Sequence, residues 1–173
     1  MQNMMNWLDR RFAYEPPVGE FPAIVERLRG TPARVEEKAA RIREATRLFK
    51  PDEHWSIQEH LGHLVDLEGL WARRTEELLR AQGELSAADM SNRATRDRNH
   101  NARAIAAIVA EFRVARGRWI DRLDACSDAD VARSSLHPRL KRPMRLVDLC
   151  FFVAEHDDHH LAVVTRLACA QER

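Results

Sequence analysis

The segment Phe151-Phe152-Val153-Ala154-Glu155-His156-Asp157-Asp158-His159-His160-Leu161-Ala162-Val163-Val164 contains neither proline nor glycine, and its apolar residues recur at helical spacing. With successive residues turning by about 100°, Leu149, Phe152, Val153, His156, His160, Val163 and Leu167 fall on one stripe. A stripe of this kind belongs against a core. His156 and His160 sit inside it, about one turn apart. A buried imidazole needs a hydrogen-bonding or ligating partner, and two imidazoles at this spacing can share one metal ion. The plain alternative is an exposed helix that happens to be rich in histidine. One helix supplies only two ligands here, so the metal reading demands a third from another element. His159 lies roughly 60° from His156, at the edge of the stripe. Asp157 and Asp158 are expected on the flank and the solvent side.

The rest of the chain reads as helices separated by punctuated turns. Residues 1–20 form an expected N-terminal arm around Met5, Trp7 and Leu8, ended by Pro16, Pro17 and Gly19, and packed on the main body or on a second subunit. A helix over about Phe21 to Leu48 is expected to break at Gly30-Thr31-Pro32. There Gly30 suits a C-terminal cap, Thr31 an N-cap and Pro32 a first helical position. Beyond the turn at Lys50-Pro51-Asp52, Ser56 and Glu59 make a capping box for a helix running to about Ala81. His60, His63, Leu64, Leu67, Leu70, Trp71 and Arg74 share a face of that helix. His63 meets the demand for a third imidazole, and His60, about 60° away, competes with it. For His63 taken alone, a core histidine satisfied by a backbone or side-chain group is the plain alternative.

Residues 83–100 read as a polar loop with a short helical turn opening at Ser86 to Asp89. Loops of this length often serve a site, and Asn92, Asn99 and His100 are its polar candidates, with solvated loop residues as the plain reading. A third long helix spans about Asn101 to Ala125, its seam formed by Ile105, Ile108, Val109, Phe112, Trp119 and Leu123. Arg116 falls inside that seam, and a buried arginine wants a carboxylate partner or an anionic ligand. Ser127 to Asp130 caps a short turn, Ser134 to Pro143 is a basic, proline-marked connection, and the last helix runs from about Met144 or Arg145 to Ala170. No strand alternation or repeat appears. The reading is all-α: a four-helix bundle over residues 21–170 with short accessory helices.

Composition narrows the function classes. At 173 residues the chain suits one domain with a proper core. Its formal charge of +1, with acidic and basic residues interspersed, leaves no footprint for nucleic acid or an anionic membrane. No run approaches the roughly 18 apolar residues of a membrane span, and no apolar signal region opens the chain, so the expected location is the cytoplasm. Cys126, Cys150 and Cys169 are odd in number and form no CxxC, which argues against a disulfide framework.

The run Trp55-Ser56-Ile57-Gln58-Glu59-His60-Leu61-Gly62-His63-Leu64-Val65-Asp66-Leu67-Glu68 resembles the second-helix signature of the DinB/YfiT-like superfamily of metal-dependent hydrolases and thiol transferases. His156 to His160 resembles its last-helix motif, and Leu85 to Asn92 and Leu136 to Met144 look like its connecting segments. The similarity extends over roughly residues 20–170. It implies an up-down-down-up four-helix bundle, a divalent metal held by His63, His156 and His160, and a homodimer. Relatives often carry glutamine where this chain has Val163, which removes a polar group near the metal.

Three neutral imidazoles leave coordination positions for water or substrate. Zinc, nickel, iron and manganese all suit such a site, zinc and nickel foremost. The ion would lower the pKa of bound water for hydrolysis or stabilise a thiolate for transfer, acting on a small-molecule amide, ester or thiol. Asp66, one turn from His63, is a candidate to orient that ligand or act as base, and Arg116 is a candidate for substrate. A non-catalytic metal-bound bundle serving stress-response binding is the other class; a closed, apolar site would favour it.

Overall fold

The computed structural model describes residues 4–11, 15–52 and 54–171. Its long helices are α1 (Phe21–Arg41), α3 (Ile57–Leu79), α5 (Ile105–Asp124) and α7 (Leu146–Gln171). Short helices α2 (Glu44–Leu48), α4 (Arg93–Asp97) and α6 (Asp128–Val131) lie in the connections. Strands β1 (Ser134–Leu136) and β2 (Pro143–Arg145) pair antiparallel, Ser135 opposite Met144.

α1 and α3 each pack against both α5 and α7. Side-chain pairs give the directions. Glu68–Arg116, Thr75–Trp119 and Glu76–Arg122 ascend together, so α3 and α5 run parallel. Arg27–Glu155, Arg34–Asp158 and Lys38–Thr165 make α1 parallel to α7. Glu36–Arg113 and Arg29–Asp124 descend, as do His60–His160 and Trp71–Phe152, so α1 opposes α5 and α3 opposes α7. The bundle is up-down-down-up, and the long connection from α3 to α5 carries the chain back along its length.

The expected break at Gly30-Thr31-Pro32 does not occur, because α1 runs unbroken through Pro32. Proline lacks the N–H that would bond the carbonyl four residues earlier, which here is Leu28. Arg116 Nη1 donates to that carbonyl instead, at 3.2 Å. The break falls later, at Ile42, whose extended backbone leads into α2. α3 begins as expected: Ser56 accepts from Glu59 N, and the Glu59 carboxylate accepts from Ser56 N. The helical turn expected at Ser86–Asp89 forms instead at α4, and the basic connection contains the small hairpin. The last helix, without a good cap in the preceding sequence, takes one from inside: Asp148 accepts from Arg145 N at 2.8 Å.

The apolar core has two parts. One gathers Leu28, Trp71, Leu78, Leu123, Leu149 and Val153; the other gathers Val35, Ile57, Leu61, Ile108, Phe112 and Val164. Between Phe112 and Trp119, whose rings lie 4.9 and 5.3 Å from its guanidinium carbon, sits Arg116, 1% exposed. It bonds Glu68 at 2.7 Å and Asp157 at 2.6 Å. Asp157 was expected on the flank, yet it is fully buried; the guanidinium draws it inward, because a buried arginine is tolerated only when its charge is met. Among the described residues no helix is long and apolar enough to cross a membrane, and all three cysteines are free.

Gly62 on α3 allows a close approach. A Cβ there would lie 2.2 Å from the His100 ring. His100, read from sequence as a solvated loop residue, is completely buried. Its carbonyl accepts from Gln58 Nε2 at 2.7 Å, and its ring nitrogen meets Asp66 at 2.9 Å. Gly62→Ala is therefore expected to displace the 93–102 segment and destabilise the protein by about 1–3 kcal/mol, read from urea unfolding.

Candidate metal centre

The rings of His63, His156 and His160 converge where α3 meets α7. Their centroids lie 5.4 Å apart for His63–His156, 4.9 Å for His63–His160 and 4.5 Å for His156–His160. One nitrogen from each falls within 4.8 Å of the others. All three residues are buried, at 5–7% exposure. Burial is the main reason their proton affinity is low. His63 falls to about 4 against the pull of Asp66, and His156 and His160 fall well below the ordinary histidine value, each also opposed by its neighbours in the cluster. At neutral pH the site presents uncharged imidazoles, the protonation state a metal requires.

Partners stand behind two of the rings, and for His63 they fix which nitrogen points inward. His63 Nδ1 lies 3.0 Å from Thr95 Oγ1, and Thr95 in turn bonds the Asp66 carboxylate. The ring therefore donates from Nδ1 and leaves Nε2 free. Asp66 also meets His100 at 2.9 Å and Arg98 at 3.2 Å. His160 Nδ1 lies 2.9 Å from His60 Nδ1, and its Nε2 lies 3.2 Å from His156 Nε2. His60, the competing candidate, thus stands behind a ligand position rather than in one. Carboxylate, hydroxyl or imidazole partners of this kind orient metal-binding histidines.

The residues fit a divalent ion. Neutral His156 and His160 set nitrogens against each other at 3.2 Å, and His156 Nδ1 is buried without a hydrogen-bond partner among the described residues. A cluster left so incompletely satisfied is costly unless a further group completes it. Three imidazole nitrogens suit zinc, nickel or iron. Thr95→Val, which cuts the link from His63 to Asp66, is expected to weaken metal binding about 10–100-fold by competition with a chelator dye.

The three rings form part of the wall of a cavity of about 470 Å³. Trp7, Trp55, Trp71, Leu67 and Phe152 supply its apolar surface, and Arg74, Arg139 and His137 close the far side. Trp7, from the N-terminal arm, packs its ring 5.0 Å from His156 and 5.5 Å from His159. Asn92 lines the cavity, while Asn99 does not. Asp66 and Arg116 lie outside its wall: Asp66 is behind Thr95 and Arg116 is within the core. Sequence reasoning missed Thr95, Glu68 and the partnership of Asp157 with Arg116. An arginine in an apolar seam does signal that carboxylates must come from the facing helices, and Glu68 and Asp157 are those on the helices that carry the histidines.

The sequence profile of the DinB superfamily matches residues 8–164. The chain belongs to the DinB superfamily. A solved relative in fold is YfiT from Bacillus subtilis, described as a probable metal-dependent hydrolase with an unusual four-helix bundle topology. The two share 18% identity over 94% of each chain, with a TM-score of 0.80. No curated protein matches the sequence. In this DinB-superfamily chain Trp7 of the N-terminal arm, Trp55 ahead of α3, residues 87–92 and residues 137–139 wall the cavity onto which the histidine cluster opens.

Proposed function

We propose that this protein is a metal-dependent enzyme acting on a small molecule, by hydrolysis of an amide or ester or by thiol transfer, with His63, His156 and His160 as ligands of a zinc- or nickel-like divalent ion. The observation that carries the reading is the opening of three neutral, buried imidazoles onto an aromatic-lined cavity of about 470 Å³. A non-catalytic site would favour closure around the ion instead. When bound, the ion supplies Lewis acidity and stabilises a nucleophile's negative charge.

The chain's own residues do the rest. Asp66, through Thr95, holds the proton of His63 on Nδ1 and so acts as a positioning residue. Arg116 anchors α7 through Asp157, the residue next to His156. Asp89 is the sole carboxylate among the described residues of the cavity wall, and its oxygens accept from Ser91 N, Ser91 Oγ and Arg93 N. Proton transfer therefore falls to His159, which lines the cavity and is kept neutral by burial and by Arg10. Trp7, Trp55 and Trp71 exclude water around the reacting group.

Protein purified without a histidine tag should retain a divalent metal and turn over activated esters, amides or thiol conjugates. Chelation and His63→Ala should each abolish turnover; unchanged turnover in His63→Ala would remove the assignment. A homodimer, implied by the family resemblance, is part of the proposal, and light scattering tests it directly.

A further inference from the structure

Arg74 follows His63 on α3 by about three helical turns, which returns it to the same face after roughly 16 Å of axial rise. Both line the cavity, with Trp71 between them: the Trp71 ring is 6.1 Å from His156 and 5.7 Å from the Arg74 guanidinium carbon. Arg74 is 1% exposed. Its Nε and Nη2 both donate to the Ser86 carbonyl, at 2.9 and 2.8 Å. No ion pair meets its charge among the described residues. The neighbouring Glu77 carboxylate accepts from Ser86 N at 2.8 Å and from Ser86 Oγ. Burial lowers Arg74 to about 10, which leaves it cationic at neutral pH.

The remaining nitrogen, Nη1, lies 3.4 Å from Nε2 of His137, itself 3% exposed. His137 Nδ1 accepts from the backbone N–H groups of Arg139 and Leu140, both at 3.2 Å. A neutral imidazole that accepts at Nδ1 carries its proton on Nε2. Two buried N–H donors therefore face each other on the cavity wall, with no acceptor between them among the described residues. Arg139, exposed at the same wall, adds a second positive charge. Glu77 supports the Arg74 charge without touching the guanidinium, and a missing acceptor beside a guanidinium with no carboxylate in contact among the described residues is the complement of an anion.

We propose that Arg74 and His137, with Arg139 at the rim, form a carboxylate-binding subsite that holds one end of an elongated substrate while its reacting group lies against the three histidines. The substrate class is thus an amphipathic carboxylic acid whose apolar middle covers Trp71 and Leu67. This deepens the proposed function and rests on its placing of the reaction at the histidine cluster. Arg74 and Arg139, set against the neighbouring Glu77 carboxylate, leave one net positive charge, which matches a monoanion; a phosphate dianion would carry one charge too many.

The test titrates metal-loaded protein with 4-phenylbutyrate and with its neutral isostere 4-phenylbutyramide, following tryptophan fluorescence, with metal content measured on the same samples. The acid should bind at least about tenfold more tightly than the amide. Arg74→Gln should bring the two to parity with metal content unchanged. His137→Asn keeps an acceptor for the Arg139 and Leu140 amides but deletes the Nε2 donor, and it should cut the preference about threefold. Equal binding of acid and amide, or a preference that survives Arg74→Gln, overturns the subsite. Should Arg74→Gln fail to fold, an unchanged preference in His137→Asn does so. Inorganic phosphate competing as strongly as the acid also overturns the carboxylate assignment. Metal uptake without acid preference sinks the subsite alone; acid preference without metal uptake sinks the proposed function and leaves the subsite standing.

Discussion

Arg116→Met is expected to destabilise the fold by about 3–5 kcal/mol, the range for removing one partner of a buried charge network. Arg116 is buried, and burial works against its charge, yet Asp157 and Glu68 more than offset that and raise it above its ordinary value. Burial pushes the Glu68 carboxyl up while Arg116 pulls it back. With guanidinium contacts of 2.7–3.2 Å to Glu68 and 2.6 Å to Asp157, the geometry supports the fully charged triad. Methionine fills similar volume but strands two carboxylates in the core and leaves the Leu28 carbonyl unbonded opposite Pro32. Urea unfolding of the variant measures the loss. Replacing Arg116, Glu68 and Asp157 together by apolar residues should recover most of it, since buried ion networks are often replaceable as a unit. A change below about 1 kcal/mol in Arg116→Met would mean that the triad does not hold α3, α5 and α7 together.

Metal-free protein is expected to lose stability steeply as the pH falls from about 6.5 to about 4. His60 and His63 drop from the usual 6.5 to about 4 in the fold, with burial as the first cause, and His156 and His160 fall further. In the unfolded chain each titrates near its ordinary value. Between the two values the unfolded state binds protons that the folded state refuses, so stability is complete above about pH 6.5 and declines with acid. A histidine moved from 6.5 to about 4 accounts for roughly 3 kcal/mol by pH 4, and several act together. A divalent ion competes for the same nitrogens and adds about 2.7 kcal/mol at one hundred times its dissociation constant. Saturation with zinc should move the acid midpoint, followed by tryptophan fluorescence, to lower pH. That shift should vanish in His160→Ala. A midpoint indifferent to metal in the native protein would exclude these histidines as the ligand set.

Much of this was legible along the chain because it depends on local periodicity. The Ser56–Glu59 capping box, the apolar stripe bearing His156 and His160, and the face shared by His63, Trp71 and Arg74 are consequences of about 3.6 residues per turn. Misreadings arose where a distant group altered a local preference. Gly30-Thr31-Pro32 carries every local signal for a break, but Arg116, far along the chain, caps the carbonyl that proline orphans. The helical angle of Asp157 puts it on the flank, and Arg116 draws it inward. His100 looked like a loop residue until Gly62 opened space for its ring.

The sequence by itself determined the long helices and most of their buried faces, because each follows from residue type and helical spacing on a single segment; spacing left His60 and His63 as rival third imidazoles, and the family resemblance chose His63. Tertiary structure alone decided that His63 keeps its Nε2 free, that His60 stands behind His160, that Asp66 reaches His63 through Thr95, and that Arg74 faces His137 on the cavity wall. Those relations join residues from different elements. Their energies depend on ångström-scale distances and on water being excluded, and neither is encoded in the spacing along any one helix.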